Sequence, residues 1–212
     1  MPNLTENDKH ERYSTVSLHL SLEANQVSSF FQLLQQGFRV KAQVGSSIKK
    51  MICEQFAVSP EYIEERIKTI FLDGKPVDDV DTATVKDGSV LALSAAMPGL
   101  AGATLRRGGY LASLRSQITH REDKMAISPG EGLVVLKLFN LLLNELGPII
   151  LNKGIYIRRE DFLGFFESLP GKLWTGCKEV GVDGKKVDLD TLLRLKWVDQ
   201  HDFIFLQVHS DG

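Results

Sequence analysis

Apolar and polar positions along the chain change period several times, and each change predicts an element. In residues 14–22 (STVSLHLSL), Val16, Leu18, Leu20 and Leu22 alternate with polar neighbours, predicting a half-buried strand with His19 on its wet face. Asn25 then precedes Val27, Phe30, Phe31 and Leu34 at helical spacing, and Gly37 ends that run. Residues 38–44 alternate again through Val40, Ala42 and Val44, and Ile48, Met51, Ile52 and Phe56 mark the apolar face of a second helix. Ser59-Pro60 opens a short acidic helix to Arg66. Strands are predicted at 68–72 and 90–94, bracketed by Asp73-Gly74-Lys75 and Lys86-Asp87-Gly88 turns.

The period is lost at 97–109 (MPGLAGATLRRGG), which predicts a Gly-rich linker or arm. Beyond it, Ser128-Pro129-Gly130-Glu131 resembles a capping box for an apolar helix over 132–146, stopped by Gly147-Pro148. A strand at 155–157, a helix across Phe162, Phe165 and Phe166, a strand at 179–182, a helix at 190–197 and a strand at 203–208 complete the pattern. The chain therefore reads as α+β in both halves. The expected organisation is a tail (1–12), an N-terminal domain (13–96), a basic Gly-rich linker (97–127) and a C-terminal α+β domain (128–212).

The halves also echo each other. Residues 72–82 (LDGKPVDDVDT) and 182–191 (VDGKKVDLDT) match once one residue is dropped. The second domain is thus either a diverged repeat of the first or a separate solution to the same turn problem.

Composition changes this picture little. The 212 residues are 43% hydrophobic and 25% charged, within the range of ordinary globular chains. With a net charge of -2, no whole-chain electrostatic argument points to nucleic acid or an anionic membrane, and only a local patch could do so; nucleic acid and membrane are not the expected partners. The one sign-asymmetric patch is 97–127, where Arg106, Arg107, Arg115, Arg121 and Lys124 outweigh Glu122 and Asp123. Residues 133–151 are strongly apolar, yet Lys137, Asn140, Asn144, Glu145 and Gly147-Pro148 interrupt them, so no membrane span is expected. Two isolated cysteines and a polar start predict a reducing, cytoplasmic setting.

Residues 38–94 resemble a β-grasp, ubiquitin-like domain. The similarity is carried by residues 69–77 (TIFLDGKPV), like the third strand and turn of ubiquitin-like proteins, and by 85–93 (VKDGSVLAL), like the approach to the last strand of small sulfur carriers. It implies a helix on one face of a mixed sheet. Members that act as carriers or modifiers end in a flexible Gly-Gly whose carboxylate is adenylated, and residues 105–109 (LRRGG) are similar to such a tail. Here the chain continues for another 103 residues, so that chemistry would require cleavage after Gly109.

Candidate chemistry is sparse. Gly108 and Gly109 are the candidate carrier tail, and Arg106, Arg107 and Arg115 with Tyr110 are a candidate arm for phosphates, or a linker pinned to an acidic surface. Cys177, beside Lys178, is the candidate reactive thiol. Asp78, Asp79 and Asp81 lack the spacing of a calcium loop, and His201 and His209 lie about 26 Å apart at strand rise. No catalytic set, metal site or cofactor motif is expected. The expected function is non-enzymatic protein interaction on a ubiquitin-like module, including self-association through the apolar helix 132–146. The alternative is a modifier or sulfur-carrier precursor, and a third reading is an enzyme using Cys177 or the basic arm.

Overall fold

The computed structural model describes residues 13–121 and 129–211. The expected tail, Lys124 and Ser128 lie outside them. The strands are β1 (Thr15–Glu23), β2 (Phe38–Val44), β3 (Thr69–Leu72), β4 (Lys75–Pro76), β5 (Val90–Ser94), β6 (Gly130–Phe139), β7 (Ile155–Arg158), β8 (Cys177–Val182), β9 (Lys185–Lys186) and β10 (Phe203–Asp211). The α-helices are α1 (Phe31–Gln36), α2 (Ile48–Phe56), α3 (Pro60–Arg66), α4 (Gly99–Leu105), α5 (Leu141–Lys153), α6 (Arg159–Ser168) and α7 (Leu189–Leu193). The fold is mixed α+β, as the periodicities predict.

The chain divides into two compact units. A central unit is Phe31–Ile150, and a terminal unit joins the residues up to Phe30 with those from Leu151 onward. The expected 97–127 boundary therefore falls inside the central unit.

In the central unit the strand order is β4-β3-β5-β6-β2, with β5 and β6 parallel and the other pairs antiparallel. Strand β2 buries Phe38, Val40, Ala42 and Val44, and α2 buries Ile48, Met51, Ile52 and Phe56. The Ser47 side chain caps α2 by accepting from the Lys50 amide, and Ser59 does the same for α3 at Tyr62.

The expected helix over 132–146 is not formed. Residues 130–139 are β6, in register with β2 (Phe38 opposite Leu136) and with β5 (Val90 opposite Val135), and the helix starts only at Leu141. Gly132, Val134, Leu136 and Leu138 are buried, while Leu133, Val135, Lys137 and Phe139 are half-buried. Both faces of β6 carry apolar residues, which erases the period of two that identifies a strand. Self-association through an exposed helix at this position loses its structural basis. Pro148, expected to end the helix, lies inside α5.

In the terminal unit the order is β7-β10-β1-β8-β9. Strand β1 lies between two partners, parallel to β10 (Leu18 opposite Leu206) and antiparallel to β8 (Leu18 opposite Val182). Val16, Leu18, Leu20 and Leu22 are at most 1% exposed, so one face of the predicted strand is fully buried. From α6, Phe162, Phe165 and Phe166 reach the core, where Phe162 meets Trp197 with ring centroids 5.8 Å apart. The helix expected from Asn25 begins as a 3-10 turn (Ala24–Phe30), in which the Ser28 hydroxyl donates to the Asn25 carbonyl.

The two echoed segments fold alike. Asp73-Gly74 and Asp183-Gly184 both take left-handed conformations (φ 49° and 78°, 47° and 72°), the geometry of a two-residue hairpin turn. The Asp73 amide donates to the Val90 carbonyl at 2.8 Å, and the Val90 amide donates to Asp73 Oδ1 at 2.7 Å. The Asp183 amide donates to Ser17 at 3.0 Å, and Ser17 returns its amide to Asp183 Oδ1 at 2.9 Å. Downstream, Asp79 Oδ1 accepts from the Thr82 amide and Asp188 Oδ1 from that of Thr191. The neighbouring strand is β5 in one unit and β1, 166 residues upstream of Asp183, in the other. Because both carboxylates are exposed and each satisfies one strand amide, Asp73→Ala and Asp183→Ala should each cost about 1 kcal/mol in urea unfolding. A neutral result at either position would remove the equivalence.

Candidate functional site

The Gly-rich segment after β5 is built into the central unit as an ordered arm. Pro98 leads into α4, and Gly102 sits so close to the Met97 carbonyl that a side chain there would collide with it. A 3-10 turn follows at Tyr110–Arg115. Arg115 is only 3% exposed, and its guanidinium forks onto Asp78 (Nη1 to Oδ2 3.0 Å, Nη2 to Oδ1 2.6 Å). Its Nε donates to the Thr104 carbonyl at 2.8 Å, and Nη1 also reaches the Thr119 hydroxyl. Arg107 makes a similar fork onto Glu64 (3.1 and 3.0 Å) and donates to the Ile63 carbonyl. Two of the three candidate arginines thus spend their donors within the fold, so the arm is pinned to an acidic surface. Arg106 remains exposed.

Gly108 and Gly109 lie within this turn. Gly108 has φ 59° and donates its amide to Asp78 Oδ1 at 3.2 Å, while Gly109 donates to the Arg106 carbonyl and caps the following 3-10 turn. A carrier tail needs an extended, mobile pair. Here both amides are engaged and ordered chain continues on either side. The acidic trio is likewise committed, with Asp78 on Arg115, Asp79 on the Thr82 hydroxyl and amide, and Asp81 on Lys49 at 3.0 Å.

Cys177 begins β8, where its thiol points to the Glu179 carbonyl at 3.7 Å, and burial pushes its pKa up. Burial also raises the Cys53 thiol, and both cysteines are free. Neither has the low-pKa character of a nucleophile. Among the described residues, no three His, Cys, Asp or Glu side chains are placed to hold a metal ion, and no helix is long and apolar enough to cross a membrane.

Three features escaped the sequence reading. The first is the exposure of apolar side chains along the arm, where Leu100, Tyr110, Leu114 and Ile118 are 75%, 97%, 73% and 57% exposed. They are half of the eight large apolar side chains exposed among the described residues. Tyr110 and Leu114 lie in a 3-10 turn, whose three-residue repeat follows no α-helical period, and the glycines around them suggested a loop.

The second is a cluster joining α3 to α5, in which the Tyr62 hydroxyl donates to Glu145 Oε2 at 2.6 Å and the Arg66 guanidinium also pairs with that carboxylate. Arg66 and then Tyr62 hold the Glu145 carboxyl below its ordinary value of 4.5, while burial, followed by the Glu145 hydrogen bond, pushes the Tyr62 phenol up. A depressed carboxyl stabilises the fold above its unfolded pKa, and that contribution is lost as pH falls through the folded value. Unfolding curves over a pH series should therefore show wild type losing stability below about 4.5 more steeply than Glu145→Gln. Parallel curves would contradict the assignment.

The third is a small cleft beside the β3–β4 hairpin, walled by Asp73, Lys75, Thr84, Lys86, His120 and Arg121. The hairpin and the turn before β5 supply the two lysines, and the end of the arm supplies His120 and Arg121. His120 is fixed by its amide, which donates to the Pro76 carbonyl at 2.8 Å. No short motif marks this group, because its members come from three separate stretches of chain. No protein family, curated protein or solved structure matches the chain.

Proposed function

We propose that this is a non-enzymatic protein-binding module, cytoplasmic, built on a ubiquitin-like β-grasp domain at 38–94. Strands β2, β3, β4 and β5 share one sheet in which β6, from outside 38–94, lies between β5 and β2 and runs parallel to β5; with the buried apolar face of α2, this mixed order supports the β-grasp reading. Two free cysteines agree with a reducing compartment. Both halves of the sequence run through strand, helix, strand, helix, hairpin and strand, which supports descent from two copies. In that reading the copies have exchanged their first strands: β1 lies in the unit of the second half and β6 in that of the first.

The observation that carries the binding function is the exposure of Leu100, Tyr110, Leu114 and Ile118 along an arm held by the buried Arg115. Exposed apolar side chains gathered on one ordered segment mark a contact surface, and aromatic side chains are frequent anchors. The exposed Arg106 and Arg121 lie on the same arm, which contains no acidic residue over 97–121. The partner is therefore a protein presenting an apolar strip with an acidic rim. The terminal short strands β4 and β9 begin with exposed Lys75 and Lys185, an arrangement that discourages strand addition at those edges.

The test is to isolate the full-length protein from its own cells and compare wild type with Tyr110→Asp/Leu114→Asp. A complex of fixed stoichiometry should form with wild type and be lost in the variant at unchanged melting temperature. Leu193→Asp, on α7, should retain it. Identical complexes in wild type and the arm variant would overturn the reading. A fragment ending at Gly109 would instead establish the modifier alternative.

A further inference from the structure

We infer that the two halves of the sequence are obligate partners of each other, so that cutting the chain between them nicks the protein and releases neither half. In the central unit β6 lies between β5 and β2, and among the described strands it is the one that comes from beyond the arm. Each β2 residue from Phe38 to Val44 has a β6 partner, and β6 pairs on its other side with Val90 to Ser94. In the terminal unit β1 is the one described strand from the first half, and it lies between β10 and β8. It pairs with β10 from Thr15 to Glu23 and with β8 from Leu18 to Leu22.

Take away either donated strand and the unit that receives it loses its middle. Within the central unit β4-β3-β5 and β2 are joined through β6, and within the terminal unit β7-β10 and β8-β9 are joined through β1. The largest group that either half keeps from these units is β4-β3-β5, in which β4 supplies only Lys75 and Pro76. Isolated strand pairs are marginally stable in water, and the opened edges would leave rows of unpaired amides and carbonyls. The cores go with the strands: Val134, Leu136 and Leu138 are fully buried in one unit, as are Val16, Leu18, Leu20 and Leu22 in the other. A cut after Gly109 meets the same constraint. The part beyond it keeps β6 between β5 and β2, and Arg115 on Asp78 and the His120 amide on the Pro76 carbonyl hold it further. A modifier made by that cut would carry 110–212 as a second subunit. The inference is independent of partner binding by the arm, because neither β1 nor β6 belongs to it.

The experiment is to replace residues 122–128 of the full-length chain with the recognition sequence of a site-specific protease, let the protein fold, and then cut it. The two pieces should co-elute in size-exclusion chromatography at the volume of the uncut protein, and 15–22, 38–44, 134–138 and 203–208 should keep their hydrogen-exchange protection. Urea should separate the pieces. Each one returned to buffer alone should show no protection in its strands, whereas the mixture should regain it in all four segments. Pieces that part on cutting, or one piece that regains protected strands by itself, overturn the inference. A free and folded fragment ending at Gly109, isolated from the protein's own cells, does so too.

Discussion

Leu20→Asp should remove the protected core of the terminal unit, at a cost of at least about 4 kcal/mol, the range reached when a charge is buried without a partner. Leu20 is 1% exposed and stands in register with Val208 of β10 on one side and Val180 of β8 on the other. A carboxylate there disturbs both ladders, because β1 is the strand that joins them. Hydrogen exchange supplies the decisive readout, since it reports which amides lose protection. Residues 177–182 and 203–208 should exchange rapidly in the variant. Thr15→Asp, at the exposed start of the same strand, should stay within about 0.5 kcal/mol of wild type. If protection were lost at 38–44 and 90–94 while 203–208 kept theirs, β1 would belong with the 38–94 segment, and the proposed strand exchange would be wrong.

Local pattern identified β1 but was silent on its partners. Four buried positions alternating with polar ones define a strand within nine residues, whereas the choice of neighbour depends on β10, which starts 188 positions after Thr15. The Asp-Gly hairpins were legible because turn chemistry is local: two adjacent left-handed residues favour the same few side chains wherever they occur. Strand β6 shows the opposite limit. Its half-buried face carries Leu133, Val135 and Phe139 and its buried face Val134, Leu136 and Leu138, so apolar residues on both faces left no period of two to read. In the candidate sites, the arginines of the arm were visible as a charge patch. Their use was not, because Asp78 and Glu64 lie 37 and 43 residues away from Arg115 and Arg107. The cleft beside the β3–β4 hairpin was hidden for the same reason, as its lysines read singly as ordinary turn residues.

Arg115 is where the arm's order and its proposed function meet. An arginine with a 2% exposed side chain must place its charge and donors on acceptors, and Asp78 together with the Thr104 carbonyl does so. Removing one partner of a fully buried pair costs about 3–5 kcal/mol. Asp78 keeps 36% of its side-chain surface and can rehydrate, so Arg115→Ala should cost less, about 2–3 kcal/mol by urea unfolding. Asp78→Asn keeps one acceptor but strands the buried guanidinium without its counter-charge and turns an amide N–H toward it, so it should cost at least as much as Arg115→Ala. The consequence for function is sharper than the stability loss. With the fork gone, Thr104 and Thr119 lose the donor they share, and although Arg107 on Glu64 and the His120 amide on Pro76 still hold the ends, the stretch between them should loosen toward the flexible linker its glycines suggest. Limited proteolysis should therefore spare residues 97–121 in wild type and cut there first in Arg115→Ala, with partner binding lost at the same time. If Arg115→Ala still held its partner with a freely cleaved arm, the apolar side chains would act without the rigid presentation that the fork provides, and the contact surface would have to be sought elsewhere on the molecule.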